Sequence, residues 1–150
     1  MTITYKNILV AVDGSKEAEW AFKKSIEIAK RNNAKLILAH IVDTRTFSTV
    51  EVYDATIADR ADRYAGELME GYKEQAIAAG ITDVTYKIDY GSPKVIIPKD
   101  LAKTYHVDLI ICGATGLNMV ERFFMGSVSE NIVRYAPCDV LIVRTEKDEE

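Results

Sequence analysis

Five short apolar runs, each parted from the next by a longer stretch of helical periodicity, restrict this chain to an α/β sheet. The runs are Asn7 to Val12, Lys35 to Val42, Val84 to Tyr90, Asp108 to Cys112 and Val140 to Arg144. Ile8-Leu9-Val10-Ala11-Val12 and Leu109-Ile110-Ile111-Cys112 are apolar at every position. A strand with one wet face alternates; unbroken runs belong to parallel strands covered on both faces. Between the runs lie helices. Ser15 is placed to cap one that reaches about Asn32, with Ala18, Phe22, Ser25 and Ala29 on one stripe. A longer one, from about Ala55 to Ala79, carries Ile57, Ala61, Tyr64, Leu68 and Tyr72 at helical spacing and ends at Gly80. Ser129 to Ala136 forms the last, stopped by Pro137. Ser92-Pro93 opens another, but Pro98 then falls inside it, where an unrelieved proline costs ~3 kcal/mol. That helix either kinks or restarts near Pro98 and runs to Tyr105.

Length and charge narrow the class. The chain has 150 residues, 48% of them hydrophobic, which suits one domain over 1–150 with a real core. No repeat, linker or low-complexity segment divides it, and residues from about 144 to 150 read as a solvated tail. A net charge of −4 is the wrong sign for a nucleic-acid surface. No stretch approaches the ~18 apolar residues of a membrane span, and Met1 to Lys6 lacks the apolar core of a signal peptide. Cys112 and Cys138 have no Cys-x-x-Cys spacing and fall beside apolar strands, as buried reduced thiols do. The cytoplasm is the expected compartment.

The chemistry concentrates between Gly113 and Ser129, in GATGLNMVERFFMGSVS. A strand leads into a glycine-rich loop, and the loop leads into a helix. Glycine lets backbone turn tightly and approach a ligand closely. The first amides of a helix have no internal partners, and its dipole puts partial positive charge there. Such a junction favours an anion, and a phosphate is the leading reading. The amides of Gly116, Ser127, Val128 and Ser129, with the two serine hydroxyls, are the expected donors. The loop lacks the Walker pattern, because Asn118 stands where its second glycine would fall, and it has no Gly-x-Gly-x-x-Gly fingerprint. Arg122 is its only cation, able to neutralise a distal phosphate or to point into water or toward Glu121. Met119, Val120, Phe123, Phe124 and Met125 make the loop apolar, suited to packing against another subunit.

Gly113-x2-Gly116-x9-Gly126-Ser127 after a strand resembles the nucleotide-binding signature of the universal stress protein family, in its ATP-binding, UspA-like branch. The resemblance extends from Asn7-Ile8-Leu9-Val10-Ala11-Val12-Asp13-Gly14-Ser15 to Ala136-Pro137-Cys138-Asp139-Val140-Leu141-Ile142-Val143-Arg144. It implies a doubly wound five-stranded parallel sheet of order 3-2-1-4-5 with helices on both faces, like the adenine nucleotide alpha hydrolases. Ligands in such sheets bind where the order reverses, at the carboxyl ends of the strands, which here brings Asp13 and Gly113 to one crevice. The resemblance further implies that ATP or AMP binds there, any Mg2+ being held by the phosphates. Asp13 is a turn or capping residue on its own merits; the family places it against the adenosine, where a ribose hydroxyl or adenine amino group suits a carboxylate. The backbone of Val42 is implied to read the adenine edge, with Ala11 and Val12 completing the apolar slot. Leu117 stands where many members carry arginine, which bears on phosphate geometry.

The family also implies a homodimer through the last strand, Val140 to Arg144, an apolar edge that otherwise invites association. No catalytic residue is readable. His40 and His106 are isolated, no cluster has metal-ligand spacing, and no base accompanies the loop, so efficient phosphoryl transfer is not expected. The favoured reading is a ligand-responsive nucleotide-binding dimer with further protein partners. A slow ATP hydrolase and a nucleotide-free dimeric interaction module are the alternatives.

Overall fold

The computed structural model describes residues 3–43, 55–114 and 125–144. Its five strands are β1 (Asn7–Ala11), β2 (Lys35–Asp43), β3 (Val84–Gly91), β4 (Leu109–Gly113) and β5 (Asp139–Val143). All pair in parallel, in the order β3-β2-β1-β4-β5. The expected sheet is therefore present, each strand ending within a residue or two of its apolar run.

Alternation along the strands divides the core in two. Ile8, Val10, Leu36, Leu38, Leu109 and Ile111 point to one face. There they meet α1 (Lys16–Asn32) and α2 (Ala55–Ala78). Leu9, Ile37, Ala39, Ile110 and Cys112 point to the other face. That side is covered by α3, which runs from Pro93 to Thr104, and α4 (Ser127–Tyr135). Parallel strands apolar at every position have both sides covered, as their sequence demands. At the amino ends, the Asp108 carboxylate accepts the N–H groups of Lys6 and Asn7 at 2.8 and 3.1 Å, stitching the approach to β1 onto that to β4.

Three local readings are corrected. Helix α2 buries Ala65, Met69, Tyr72 and Ala76; the expected Tyr72 is in this stripe and Leu68 packs against it, but the stripe turns away from Tyr64. Tyr64 is 54% exposed, while Ile57 lies outside the residues whose side chains are described. Helix α4 begins at Ser127 rather than Ser129, with Gly126 as its N-cap. Pro98 neither breaks nor restarts its helix. The turn widens into a π-helical stretch, Ile96–Leu101, between Pro93–Val95 and Ala102–Thr104. Ala102 N–H reaches five residues back to Ile97 O, a wider turn that frequently marks such insertions. Pro98 itself is fully buried, so apolar packing offsets the missing donor.

Candidate functional site

Strand order reverses between β1 and β4. The chain leaves β1 after Ala11 and turns back over the α1 side, whereas from β4 it leaves toward β5. These departures open a crevice at the carboxyl ends, the usual ligand position in sheets of this kind.

On the β1 side the turn is internally braced. Asp13 Oδ1 accepts the N–H of Ser15 at 2.9 Å, and Ser15 Oγ accepts that of Ala18 at 3.1 Å. Gly14 takes φ +84°, a left-handed conformation that glycine adopts at no steric cost. Asp13 is thus a turn former. Val12 is closed to ligand chemistry. Its N–H goes to Ala39 O at 2.9 Å, its carbonyl lies 2.9 Å from His40 Nδ1, and its side chain is in the core. Because a carbonyl only accepts, that His40 nitrogen carries hydrogen; the imidazole ties β2 to the end of β1. Ala11 remains half-buried on the opposite face. His106, at φ 51°, is an exposed turn residue after α3.

Strand β2 runs on to Asp43 after β1 has stopped, so part of one backbone edge overlooks the crevice. Which residues present it follows from three bonds. Lys35 N–H goes to Lys6 O and Ala39 O takes Val12 N–H, both toward β1; Leu36 N–H goes to Asp83 O, toward β3. Alternate residues in a parallel ladder face opposite neighbours, so odd positions of β2 face β1 and even ones β3. Val42, paired with Tyr90, therefore turns its main chain away from the crevice. Ile41 is the residue whose N–H and C=O look past the end of β1. The expectation at Val42 was one position off, and no side-chain pattern would have revealed it.

On the β4 side, Gly113 has a steric reason to be glycine. A Cβ there would lie 3.0 Å from Glu17 Cβ and 3.2 Å from the Glu17 carbonyl carbon, so the first turn of α1 rests directly on it. Glu17 itself is buried, a close contact that no sequence signal announced. The next residue, Ala114, is fully buried, and its carbonyl accepts both Gly126 N–H at 2.8 Å and Ser129 Oγ–H at 2.7 Å. One carbonyl thereby clamps the two ends of the glycine loop together. The Ser129 hydroxyl is donated inside the protein, leaving its amide for a ligand. Gly126 makes no capping hydrogen bond, so the amides of Ser127, Val128 and Ser129 open α4 without a side-chain acceptor from their N-cap. Gly116, Leu117 and Arg122, with Met119, Val120, Phe123 and Phe124, lie outside the described residues. Among the described residues no group of three His, Cys, Asp or Glu side chains could hold a metal ion, and no helix is long and apolar enough to cross a membrane.

The chain matches known proteins over nearly its whole length. The model of the universal stress protein family covers residues 4–144. The chain belongs to the universal stress protein family. A protein named a universal stress protein in Staphylococcus haemolyticus strain JCSC1435 is 59% identical over 145 residues, 97% of this chain and 88% of its own. Among solved structures, UspA from Lactobacillus plantarum superposes with a TM-score of 0.83 at 33% identity, over 95% of this chain and 100% of that one. A universal stress protein in complex with cAMP superposes with a TM-score of 0.72 at 30% identity, over 96% and 100%. The five-stranded sheet of this universal stress protein is the one those structures share.

Proposed function

We propose that this universal stress protein binds an adenine nucleotide, ATP or AMP, in the crevice between β1 and β4 and acts as a ligand-responsive dimer. The observation that carries the reading is the uncapped amino end of α4, held at the crevice by the Ala114 clamp. Partial positive charge and three amide donors suit phosphate oxygens. Charge-assisted hydrogen bonds of about 1.5–3 kcal/mol each, less the cost of ordering ligand and loop, accommodate micromolar affinity. The base would lie against Ala11 and the Ile41 main chain, and Asp13 would accept from a ribose hydroxyl or the adenine amino group. Gly113, Gly116 and Gly126 would let the backbone close on the phosphates, with Arg122 on a distal one. Any Mg2+ would ride on the phosphates. The complex of a 30%-identical universal stress protein with cAMP supports adenine as the base. β5 is an edge strand whose Val140, Leu141 and Ile142 are only half-buried; a second copy along it would cover them.

The test is calorimetric titration of ATP, AMP and GTP into parent protein and Gly126→Asp, which places bulk and negative charge at the amino end of α4. Micromolar adenine-selective binding, lost in the variant, is the expected result. Unchanged affinity in the variant would displace the phosphate site. Failure to bind at millimolar ATP would leave a nucleotide-free interaction module.

A further inference from the structure

A second opening lies on the face that carries α1 and α2, next to the β1 turn at Gly14. It is a cleft of about 270 Å³ walled by Gly14, Glu19, Tyr64, Glu67, Gly71, Tyr72 and Gln75. Its most informative atom is the hydroxyl of Tyr72. This residue is only 4% exposed and its ring stands edge-on to Phe22 at 4.7 Å. Among the described residues Thr85 Oγ1 is the fully buried side-chain atom left without a partner, so the Tyr72 hydroxyl is not sealed from solvent; phenols on a largely buried ring normally find a partner. Three other tyrosines do: Tyr5 donates to Asp139 at 2.8 Å, Tyr86 to Glu70 at 2.6 Å and Tyr90 to Asp62 at 2.5 Å. Tyr72 has no hydrogen-bond partner among the described residues. Burial, and after it the charge of Glu19, pushes this phenol up to about 12, so it is neutral at ordinary pH.

The rest of the wall has the same open character. Glu19 and Glu67 are exposed and make no ion pair among the described residues. Nearby lysines are turned to rings elsewhere, Lys23 over Trp20 at 5.3 Å and Lys73 over Tyr86 at 6.0 Å. Gly71 sits inside α2, where glycine costs about 1 kcal/mol against alanine, and a Cβ there would meet nothing within 4 Å. No packing contact calls for glycine at this position; its effect is to keep the wall open. Two carboxylates exclude an anion from the cleft, and two are too few for a dedicated metal cage. Carboxylates, tyrosine rings and an apolar strip at Leu68 together suit an ammonium on an aliphatic stem.

We propose that this cleft is a binding site for a small aliphatic amine, with Glu19 and Glu67 holding the ammonium and the Tyr72 hydroxyl accepting one of its hydrogens. Gly14, which also lines the cleft, belongs to the β1 turn beside the crevice, but none of the residues substituted below is used by the nucleotide reading, so either can fail alone. Titration calorimetry with putrescine in about 20 mM salt, where surface charges are little screened, tests it. Saturable binding at one site per chain is expected, weakened about tenfold or more in the exposed pair Glu19→Gln, Glu67→Gln by loss of charge-assisted bonds. Tyr72→Phe keeps the ring and should weaken binding several-fold. Gly71→Ala should weaken it while leaving α2 at least as stable. Absence of saturable heat at about 10 mM putrescine, well above a millimolar Kd, would overturn the site. Equal binding by parent and the double glutamine variant would also overturn it, marking diffuse attraction to an acidic surface.

Discussion

At Gly113 the sequence motif and the packing make the same demand for different reasons. The motif wants glycine for backbone approach to a phosphate, whereas the fold wants it because α1 leaves only 3.0 Å to the Glu17 Cβ. Gly113→Ala should therefore destabilise the protein by about 1–3 kcal/mol, as overpacking does, with or without nucleotide, and urea unfolding of the ligand-free protein measures it. An effect seen only on ligand binding would assign the glycine to the phosphates alone. Cys112 makes a second prediction at this scale. Burial pushes its thiol from 9.0 to about 12, and burial first, with Asp139 next, pushes Cys138 up to about 11. The thiolate is the reactive form, so Cys112 should resist alkylation at pH 8 until the chain unfolds, which mass spectrometry of iodoacetamide-treated protein checks. The folded state holds these protons more tightly than the unfolded one. The stability they contribute is complete below pH 9.0 and is lost as pH climbs toward about 12. Cys112→Ala should flatten that alkaline decline in a pH series of urea melts.

Elements differ in how much of themselves they wrote into the sequence. The strands were legible because a buried parallel strand is apolar at every position, a pattern no neighbouring segment imitates. Helix α1 was legible because its ends are signed by side chains: Ser15 caps it, Glu17 and Glu19 stand in its first turn, and Lys30 and Arg31 in its last. Ser15→Ala should cost about 1 kcal/mol, within the usual range for a lost cap, and shorten the protected part of α1 in amide exchange. By contrast α4 starts on a glycine, which has no side chain to sign a cap, and its beginning was read two residues late. Helix α2 carries apolar residues on more than one side, so Tyr64 was read into a stripe that Leu68 and Tyr72 do join but that Ala65, Met69 and Ala76 centre elsewhere. Pro98 was legible as a conflict but not as its resolution, since a π turn depends on what the ring packs against. The crevice shows the same division. Asp13 and the glycines were visible as residue types, while the part proposed for Ile41 belongs to its main chain, whose direction emerges only from the ladder register.

For the molecule as a whole, the crevice joins elements that the chain supplies from three separate stretches: the end of β1, the overhang of β2, and the β4-to-α4 connection. A ligand touching all three binds only the assembled sheet, so its affinity adds directly to global stability. At a free nucleotide concentration about a hundred times Kd, that addition is about 2.7 kcal/mol. For a chain of this size it should raise Tm by roughly 5–10 °C. Differential scanning with ATP, AMP and GTP at equal concentrations should give this shift for the adenine nucleotides and a smaller one for GTP. The association proposed along β5 would enter the same measurement by a different route, because a dimer is stabilised by its own concentration whereas a bound nucleotide is not. Tm should therefore rise with protein concentration in the absence of ligand, and the increment from ATP should persist at every concentration. If the nucleotide increment vanished in dilute protein, the ligand would act by holding two copies together rather than by closing the crevice of one. The amino end of α4 would then be an indirect contributor, and β5 the element on which the response depends.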